Sequence, residues 1–237
     1  MGNTNRPIKI RLLKDLLNTY PDTMVGLRIL DIGGTRSTST FMKDVFSDSD
    51  LYHLNIDPLS LNEVANAIIA DGTRLPFRDE CLDMVTSFDT IEHLVSPDSL
   101  VKEVHRVLKQ GGLFALATPN LADIYSRLVF LAGYVPFSYN PSDRRVGTAF
   151  TQATCKGEHK SVFTRRALQE MLQHYGFRIR SQAGYSYYDK FYRSIEPQSE
   201  LRELGFRRLR SILNTMLPVG LREGRDVKEV LRRYRCW

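Results

Sequence analysis

Four short apolar segments of this 237-residue chain each lead into an aspartate. They are "RILDI", "LYHLNID", "NAIIAD" and "LDMVTSFD", and their aspartates are Asp31, Asp57, Asp71 and Asp89. Each segment has the length and the apolar content of a buried strand. Because helical patterns lie between strands, we expect a parallel sheet with helices on both faces. Parallel strands end at one edge, so the aspartates are expected to gather where open α/β sheets bind ligands.

Helices are predicted before, between and after these strands. A leading helix is indicated by "IKIRLLKDLLNTY", and a short one by "TFMKDVF". The clearest helix is "PDSLVKEVHRVLKQGG", which is expected to begin at Pro97 and to be terminated by Gly111 and Gly112. The segment "LFALATP" predicts a fifth strand and "FRIRSQAGYSYY" a sixth, with a helix capped by Thr164 between them.

Composition narrows the class of protein. The chain is 42% hydrophobic, and it has neither an apolar run long enough to span a bilayer nor a signal peptide, so a cytoplasmic globular protein is expected. The cysteines Cys81, Cys155 and Cys236 lie far apart and without metal-ligand spacing. Neither a disulfide framework nor a metal site is therefore predicted.

The net charge of +6 comes from one end of the chain. Residues 202–235 hold ten basic and four acidic side chains, and the rest of the chain is nearly neutral. A nucleic-acid partner is therefore not expected. Apolar residues alternate with the arginines as in an amphipathic helix, which would pack against the domain or contact a membrane surface or an acidic partner.

The strand-end residues suit a nucleoside. The carboxylate of Asp57 can accept hydrogen bonds from both ribose hydroxyls, and no basic residue follows it to bind a 2′-phosphate. Asp71 could accept from an adenine amine. Gly33 and Gly34 would let the backbone approach a ligand closely. A nicotinamide cofactor is disfavoured because no G-x-G-x-x-G follows the first strand.

The motifs "ILDIGG", "NIDP", "ADGTRLPFRDECLDMVTSFDTIEHL" and "LVKEVHRVLKQGGLFALATPN" together resemble class I S-adenosylmethionine-dependent methyltransferases. The similarity is to the ubiquinone and menaquinone (type 11) branch and covers residues 27–184. It implies a Rossmann-like, doubly wound, mostly parallel seven-stranded α/β sheet, with a short closing strand here at residues 225–232. The expected domains are a leading helix (1–26), the methyltransferase domain (27–190, with an insertion at 120–160) and a basic helical extension (191–237).

The resemblance also implies a cofactor site for S-adenosylmethionine, with S-adenosylhomocysteine as the product. The expected residues are Asp31, Gly33, Gly34, Asp57, Pro58, Asp71, Gly72, Phe88 and Asp89. The first turn would hold the methionine end, Asp57 the ribose, Asp71 the adenine, and Asp89 the floor beneath the sulfonium. An oxygen, nitrogen or carbon atom of a small-molecule or lipid-like acceptor would displace the methyl group in line.

Two histidines are candidates for catalysis on the acceptor side. His93 lies in "IEHL" and His159 follows the insertion, and each could contact the acceptor, act as a base or orient a loop. The insertion also carries aromatic residues, which would line an acceptor pocket or form a small core of their own. They are Tyr125, Tyr134, Phe137, Tyr139 and Phe150.

The first turn departs from the family pattern D-x-G-x-G-x-G. Thr35 and Ser37 replace its second and third glycines, and a β-branched threonine tolerates positive φ poorly. This departure keeps open an alternative function, in which the chain is a methyltransferase-like binding or regulatory module with a degraded cofactor site.

Overall fold

The computed structural model describes residues 26–136 and 159–182, together with positions 9, 13, 139, 146 and 147. Within them lies one five-stranded parallel sheet in the order β3-β2-β1-β4-β5. The strands are β1 (Arg28–Ile32), β2 (Asp50–Asn55), β3 (Ala67–Ile69), β4 (Leu82–Phe88) and β5 (Leu108–Ala117). From β1 the chain adds β2 and β3 on one side of the sheet and then β4 and β5 on the other. The strand order therefore reverses between β1 and β4, and a ligand crevice is expected at the carboxyl ends of these two strands.

The described residues also form four α-helices and two 3-10 helices, and two of the α-helices come after the last described strand. The α-helices are α1 (Arg36–Val45), α2 (Pro97–Val107), α3 (Ile124–Leu131) and α4 (Arg165–His174), and the 3-10 helices are Pro58–Leu61 and Ile91–His93. Thr164 caps α4 as predicted, since its side chain accepts from the amide of Ala167 at 3.1 Å. None of the described helices has the length and apolar content needed to cross a bilayer.

The sheet separates two apolar clusters. Alternate residues of β1 point to opposite faces, so Ile29 packs with Met42 and Phe46 of α1, while Leu30 packs with the buried face of α2. Leu13 of the leading segment adds to the α1 side. The predicted parallel sheet with helices on both faces is therefore confirmed.

One detail of the predicted elements is wrong. Helix α2 ends at Val107, and Gly111 and Gly112 lie within β5 instead of terminating the helix. They form an irregularity between the pairs Leu82–Leu108 and Met84–Leu113, where Gly111 has φ +78°. The positive φ favours glycine at position 111, and a Cβ at position 112 would lie 2.9 Å from the carbonyl oxygen of Lys109.

The predicted sixth strand is also not found where the chain is described, because residues 177–182 form no ladder. The sheet of the described residues thus has five strands, not the seven expected. The closing strand at 225–232, the C-terminal extension, most of the leading helix and much of the insertion lie outside the described residues. The insertion's base is closed: the amide of Leu121 donates to the carbonyl of Phe163 at 2.8 Å, and Asn120 and Phe163 form a parallel bridge.

Candidate functional site

Three of the four predicted aspartates follow the carboxyl ends of β2, β3 and β4, whereas Asp31 lies within β1, and the four environments differ. Asp57 and Asp71 are exposed, Asp31 is buried, and Asp89 is largely enclosed. The exposed pair can meet a ligand directly. The other two carboxylates are already engaged by side chains of this chain.

Asp57 begins the 3-10 helix after β2. Its carboxylate accepts from the amide of Leu59 at 3.0 Å and from the hydroxyl of Ser60 at 2.7 Å, and Pro58 opens the helix behind it. The hydrogen bond from Ser60, followed by that from Leu59, lowers the pKa of Asp57 below its ordinary value. Each carboxylate oxygen keeps a further lone pair, so Asp57 presents an ionised acceptor to the crevice.

Asp71 follows β3, and its carboxylate accepts from the amide of Thr73 at 2.8 Å. Gly72 beside it is buried, and a Cβ there would lie 3.0 Å from Ile32 Cγ2 of β1. Because the Ile32 side chain comes this close, glycine is the residue that fits at position 72, next to Asp71.

Asp31 lies inside the sheet instead of at its end. The register places it opposite His53 of β2 and Thr86 of β4, and all three side chains share one face. Thr86 donates to Asp31 Oδ1 at 2.9 Å, and His53 Nδ1 lies 3.4 Å from Oδ2. Asp31 is 3% exposed. It therefore ties three strands together beneath the first turn.

The first turn is closed by bonds to the sheet. The amides of Gly33 and Gly34 donate to the carbonyl of Leu54 at 2.8 and 3.1 Å. Gly33 has φ +78°, and a Cβ there would lie 2.0 Å from Thr90 Oγ1, so this glycine is required by its contact with Thr90. Thr35 has φ −140° and caps α1, so no glycine conformation is needed at that position.

Asp89 ends β4 with φ +50°, a left-handed conformation that is uncommon for a residue with a side chain. Its carboxylate pairs with the ammonium of Lys9, which is 5% exposed. Phe88, the last residue of β4, is buried. A basic residue of the leading segment thus reaches the predicted floor of the cofactor site.

The two candidate histidines are brought together. His93 ends the 3-10 helix after β4, and its ring centroid lies 5.0 Å from that of His159 in an edge-to-face arrangement. The carbonyl of Glu92 accepts from the amides of Lys160 and Ser161 at 2.8 and 3.0 Å. These bonds hold the end of the insertion against the 3-10 helix.

Glu92 lies beneath the histidines and is 2% exposed. Thr118 donates to its Oε2 at 3.0 Å, whereas its Oε1 is buried and has no hydrogen-bond partner among the described residues. Burial, and then the nearby charge of Asp89, raise the pKa of the Glu92 carboxyl above its ordinary value. Glu92 was not among the predicted site residues, and its only sequence signal is its place beside His93 in "TIEHL".

The predicted aromatic pocket is largely outside the described residues. Tyr134 and Tyr139 are 48% and 40% exposed, so these two side chains are not core. Phe137 and Phe150 lie outside the described residues, and so does the side chain of Tyr125. Three further residues of the site were not predicted, because only the tertiary fold brings them to the predicted residues. They are Lys9, beside Asp89, Thr86, beside Asp31, and Thr90, beside Gly33.

Comparison with known proteins identifies the central part of the chain. A family model described as a methyltransferase domain matches residues 30–116. Residues 30–116 are a methyltransferase domain of the type 11 branch. The predicted methyltransferase family is confirmed for these residues, and S-adenosylmethionine is the cofactor that this family match implies.

Part of the chain is similar to curated proteins that are named as methyltransferases. An uncharacterized methyltransferase of Mycobacterium leprae (strain Br4923) is 30% identical over 119 residues, which are 46% of this chain and 43% of the relative. One from Mycobacterium tuberculosis (strain H37Rv) is 31% identical over 111 residues, 43% of this chain and 42% of the relative. The chain thus spans less than half the length of these relatives.

Solved structures match the methyltransferase domain in fold. A SAM-dependent methyltransferase of Archaeoglobus fulgidus is 19% identical with TM-score 0.52, over 81% of this chain and 76% of that one. A protein of Pyrococcus horikoshii OT3 is 18% identical with TM-score 0.55, over 78% of this chain and 87% of that one. At these identities the likeness establishes the fold alone.

Proposed function

We propose that this chain transfers a methyl group from S-adenosylmethionine to a small-molecule or lipid-like acceptor by in-line displacement. The observation that carries the proposal is Asp57. It is an exposed, ionised carboxylate after the end of β2, beside β1, where the strand order reverses. Asp71 lies at the end of the neighbouring strand.

The residues present fit this cofactor. Asp57 would accept from both ribose hydroxyls, and Asp71 with Gly72 would take the adenine. Gly33 and Gly34 would shape the methionine end, and Phe88 and Asp89 would form the floor. The cofactor supplies an activated methyl group on a positively charged sulfur. The chain's own part is to orient this group and to exclude water, which can supply much of the rate without a dedicated base.

His93 and His159 are proposed to face the acceptor. His93 follows β4, and His159 lies beside it at the end of the insertion. Both positions support this proposal, because the strand order reverses between β1 and β4 and ligands bind at such a point. The insertion at 120–160 would cover the acceptor. The basic extension at 191–237 would pack on the domain or contact an anionic surface, and the closing strands would complete a seven-stranded sheet.

A binding module with a degraded cofactor site is the second candidate. Two observations favour it: Asp31 is engaged by Thr86 and His53, and Asp89 is paired with Lys9. Thr35, whose side chain first suggested degradation, no longer supports this candidate because it is a normal helix cap.

Calorimetric titration with S-adenosylhomocysteine distinguishes the two candidates. We expect wild-type protein to bind it, and Asp57→Ala to weaken binding about 10- to 100-fold, since hydrogen bonds to a charged group contribute about 1.5–3 kcal/mol. Asp44→Ala, which changes an exposed aspartate of α1, is the matched control and should bind like wild type. No binding by wild type, or equal affinity in Asp57→Ala, would exclude the proposed cofactor site.

A further inference from the structure

Glu92, His93 and His159 form a cluster of metal-ligating side chains beside the end of β4. One potential ligand atom from each lies within 4.8 Å of the other two. The sequence did not predict this site, because His159 is far from the other two along the chain. Only the packing of the insertion's end against the 3-10 helix brings it there.

The buried carboxylate of Glu92 indicates what the cluster lacks. Thr118 occupies Oε2, but Oε1 has no hydrogen-bond partner within the described part of the chain, although Glu92 is 2% exposed. A buried carboxylate oxygen without a partner costs free energy. A cation coordinated by this oxygen would remove that cost.

The backbone around the cluster is held in place. The carbonyl of Glu92 accepts two amides from residues 160 and 161, and the hydroxyl of Ser161 donates to the carbonyl of Leu94 at 3.1 Å. Thr118 orients the carboxylate of Glu92, as hydrogen bonds to ligating carboxylates do in metal sites. The backbone bonds hold together the two segments that carry His93 and His159.

We propose that Glu92, His93 and His159 bind a divalent transition-metal ion, with Zn²⁺ as the favoured ion. Two imidazoles and one carboxylate are a zinc ligand set that leaves a fourth position open, whereas Mg²⁺ and Ca²⁺ prefer oxygen ligands. Ligand atoms about 2.1 Å from a tetrahedral ion are about 3.4 Å apart. Side-chain rotations that move the ligand atoms on the order of 1 Å would therefore close the site.

Binding of the metal ion does not depend on the proposed function. Its role in the reaction does, and rests on the proposed function. Glu92 and His93 lie three and four residues after Asp89 in sequence, and the charge of Asp89 acts on Glu92. The open coordination position would then lie on the acceptor side of the methyl donor. An acceptor with a ligating oxygen or nitrogen beside the methylated atom is the class that such a position would take.

Metal binding can be measured without any acceptor. Untagged full-length protein, stripped with a chelator, is titrated with Zn²⁺ by calorimetry and with Co²⁺ by visible absorption. We expect one Zn²⁺ per chain, the intense d–d bands of four-coordinate Co²⁺, and no competition from Mg²⁺. Glu92→Gln, His93→Ala and His159→Ala should each weaken Zn²⁺ binding about 10-fold or more.

The matched control is His174→Ala, which removes an exposed histidine at the end of α4 and should leave Zn²⁺ affinity unchanged. Absence of Zn²⁺ binding by wild type at micromolar concentration overturns the proposal, as does binding that all three variants retain. Titration of the same samples with S-adenosylhomocysteine reports on the proposed function separately. Zn²⁺ binding without nucleoside binding would contradict the proposed function and leave the metal site standing.

Discussion

Thr35 shows how one residue can depart from a family pattern without loss of local structure. Its side chain accepts from the amide of Thr38 at 3.3 Å, and the hydroxyl of Thr38 accepts from the amide of Thr35 at 2.8 Å. This reciprocal capping box begins α1 directly after the glycines. The hydroxyls of Thr35 and Thr38 therefore each accept one hydrogen bond at the helix start, where position 35 needs no glycine conformation.

We expect Thr35→Ala to lower the free energy of unfolding by about 1 kcal/mol, because a helix loses its cap, and Thr35→Gly to lower it by only a few tenths. Urea unfolding followed by circular dichroism measures both. Ser37→Ala, an exposed position in the first turn of the same helix, is the control and should have little effect. If Thr35→Gly proved as destabilising as Thr35→Ala, the capping role would be wrong.

Helix α2 fastens the segment that contains the "LPF" motif. Arg106 donates to the carbonyl of Phe77 at 2.8 Å, to that of Leu75 at 3.1 Å and to Asp79 at 2.7 Å. Glu103 accepts from Arg106 and from the amide of Leu75. The side chains of Glu103 and Arg106 thus hold residues 75–79, between β3 and β4, against the helix.

This network predicts a pH dependence of stability. The hydrogen bond from Arg106 lowers the pKa of Glu103 below its ordinary value. Because the folded-state pKa is depressed, the stabilisation is fully present above the unfolded value of about 4.3 and is lost as the pH falls through the folded value. The urea midpoint of Glu103→Gln should approach that of wild type as the pH falls from neutral toward 3.

The matched control for this experiment is Glu170→Gln. Glu170 pairs with Arg166 on the exposed face of α4, where both side chains are largely in solvent. Exposed pairs contribute little, so the gap between this variant and wild type should be small at every pH. A gap for Glu103→Gln that does not narrow in acid would contradict the assigned ion pair.

The elements of this fold could be predicted because each has a local signal. Apolar runs marked the five described strands, and Thr164 marked the start of α4. The end of α2 was mispredicted because the glycines that follow serve a bulge, and bulges depend on the partner strand. The contacts of Asp31, Lys9 and Glu92 could not be predicted, since each joins residues that only the register or the packing of the sheet brings together.

At the scale of the whole molecule, the leading segment is joined to the domain by a buried charge and an apolar contact. Lys9 pairs with Asp89, and Leu13 packs with Met42 and Phe46. Both contacts lie on residues well before the family match, which starts at residue 30. A lysine outside the matched domain therefore compensates the charge of a largely buried aspartate inside it.

We expect Lys9→Met to lower the free energy of unfolding by about 3 kcal/mol, because it leaves the enclosed carboxylate of Asp89 without this cation. Lys43→Met, at an exposed position of α1, should change stability little. Both are measured by chemical unfolding of the full chain. Equal stability of the two variants would show that the buried pair contributes nothing.

The closed base of the insertion has a consequence for how this protein can diversify. Since Asn120 and Leu121 are pinned to Phe163, the ends of the intervening segment stay together whatever its length. The entropy cost of closing a loop grows slowly with its length. Under the proposed function, residues 122–158 can thus be replaced by the corresponding segment of a relative. We expect such a replacement to alter acceptor choice and to leave the cofactor site intact.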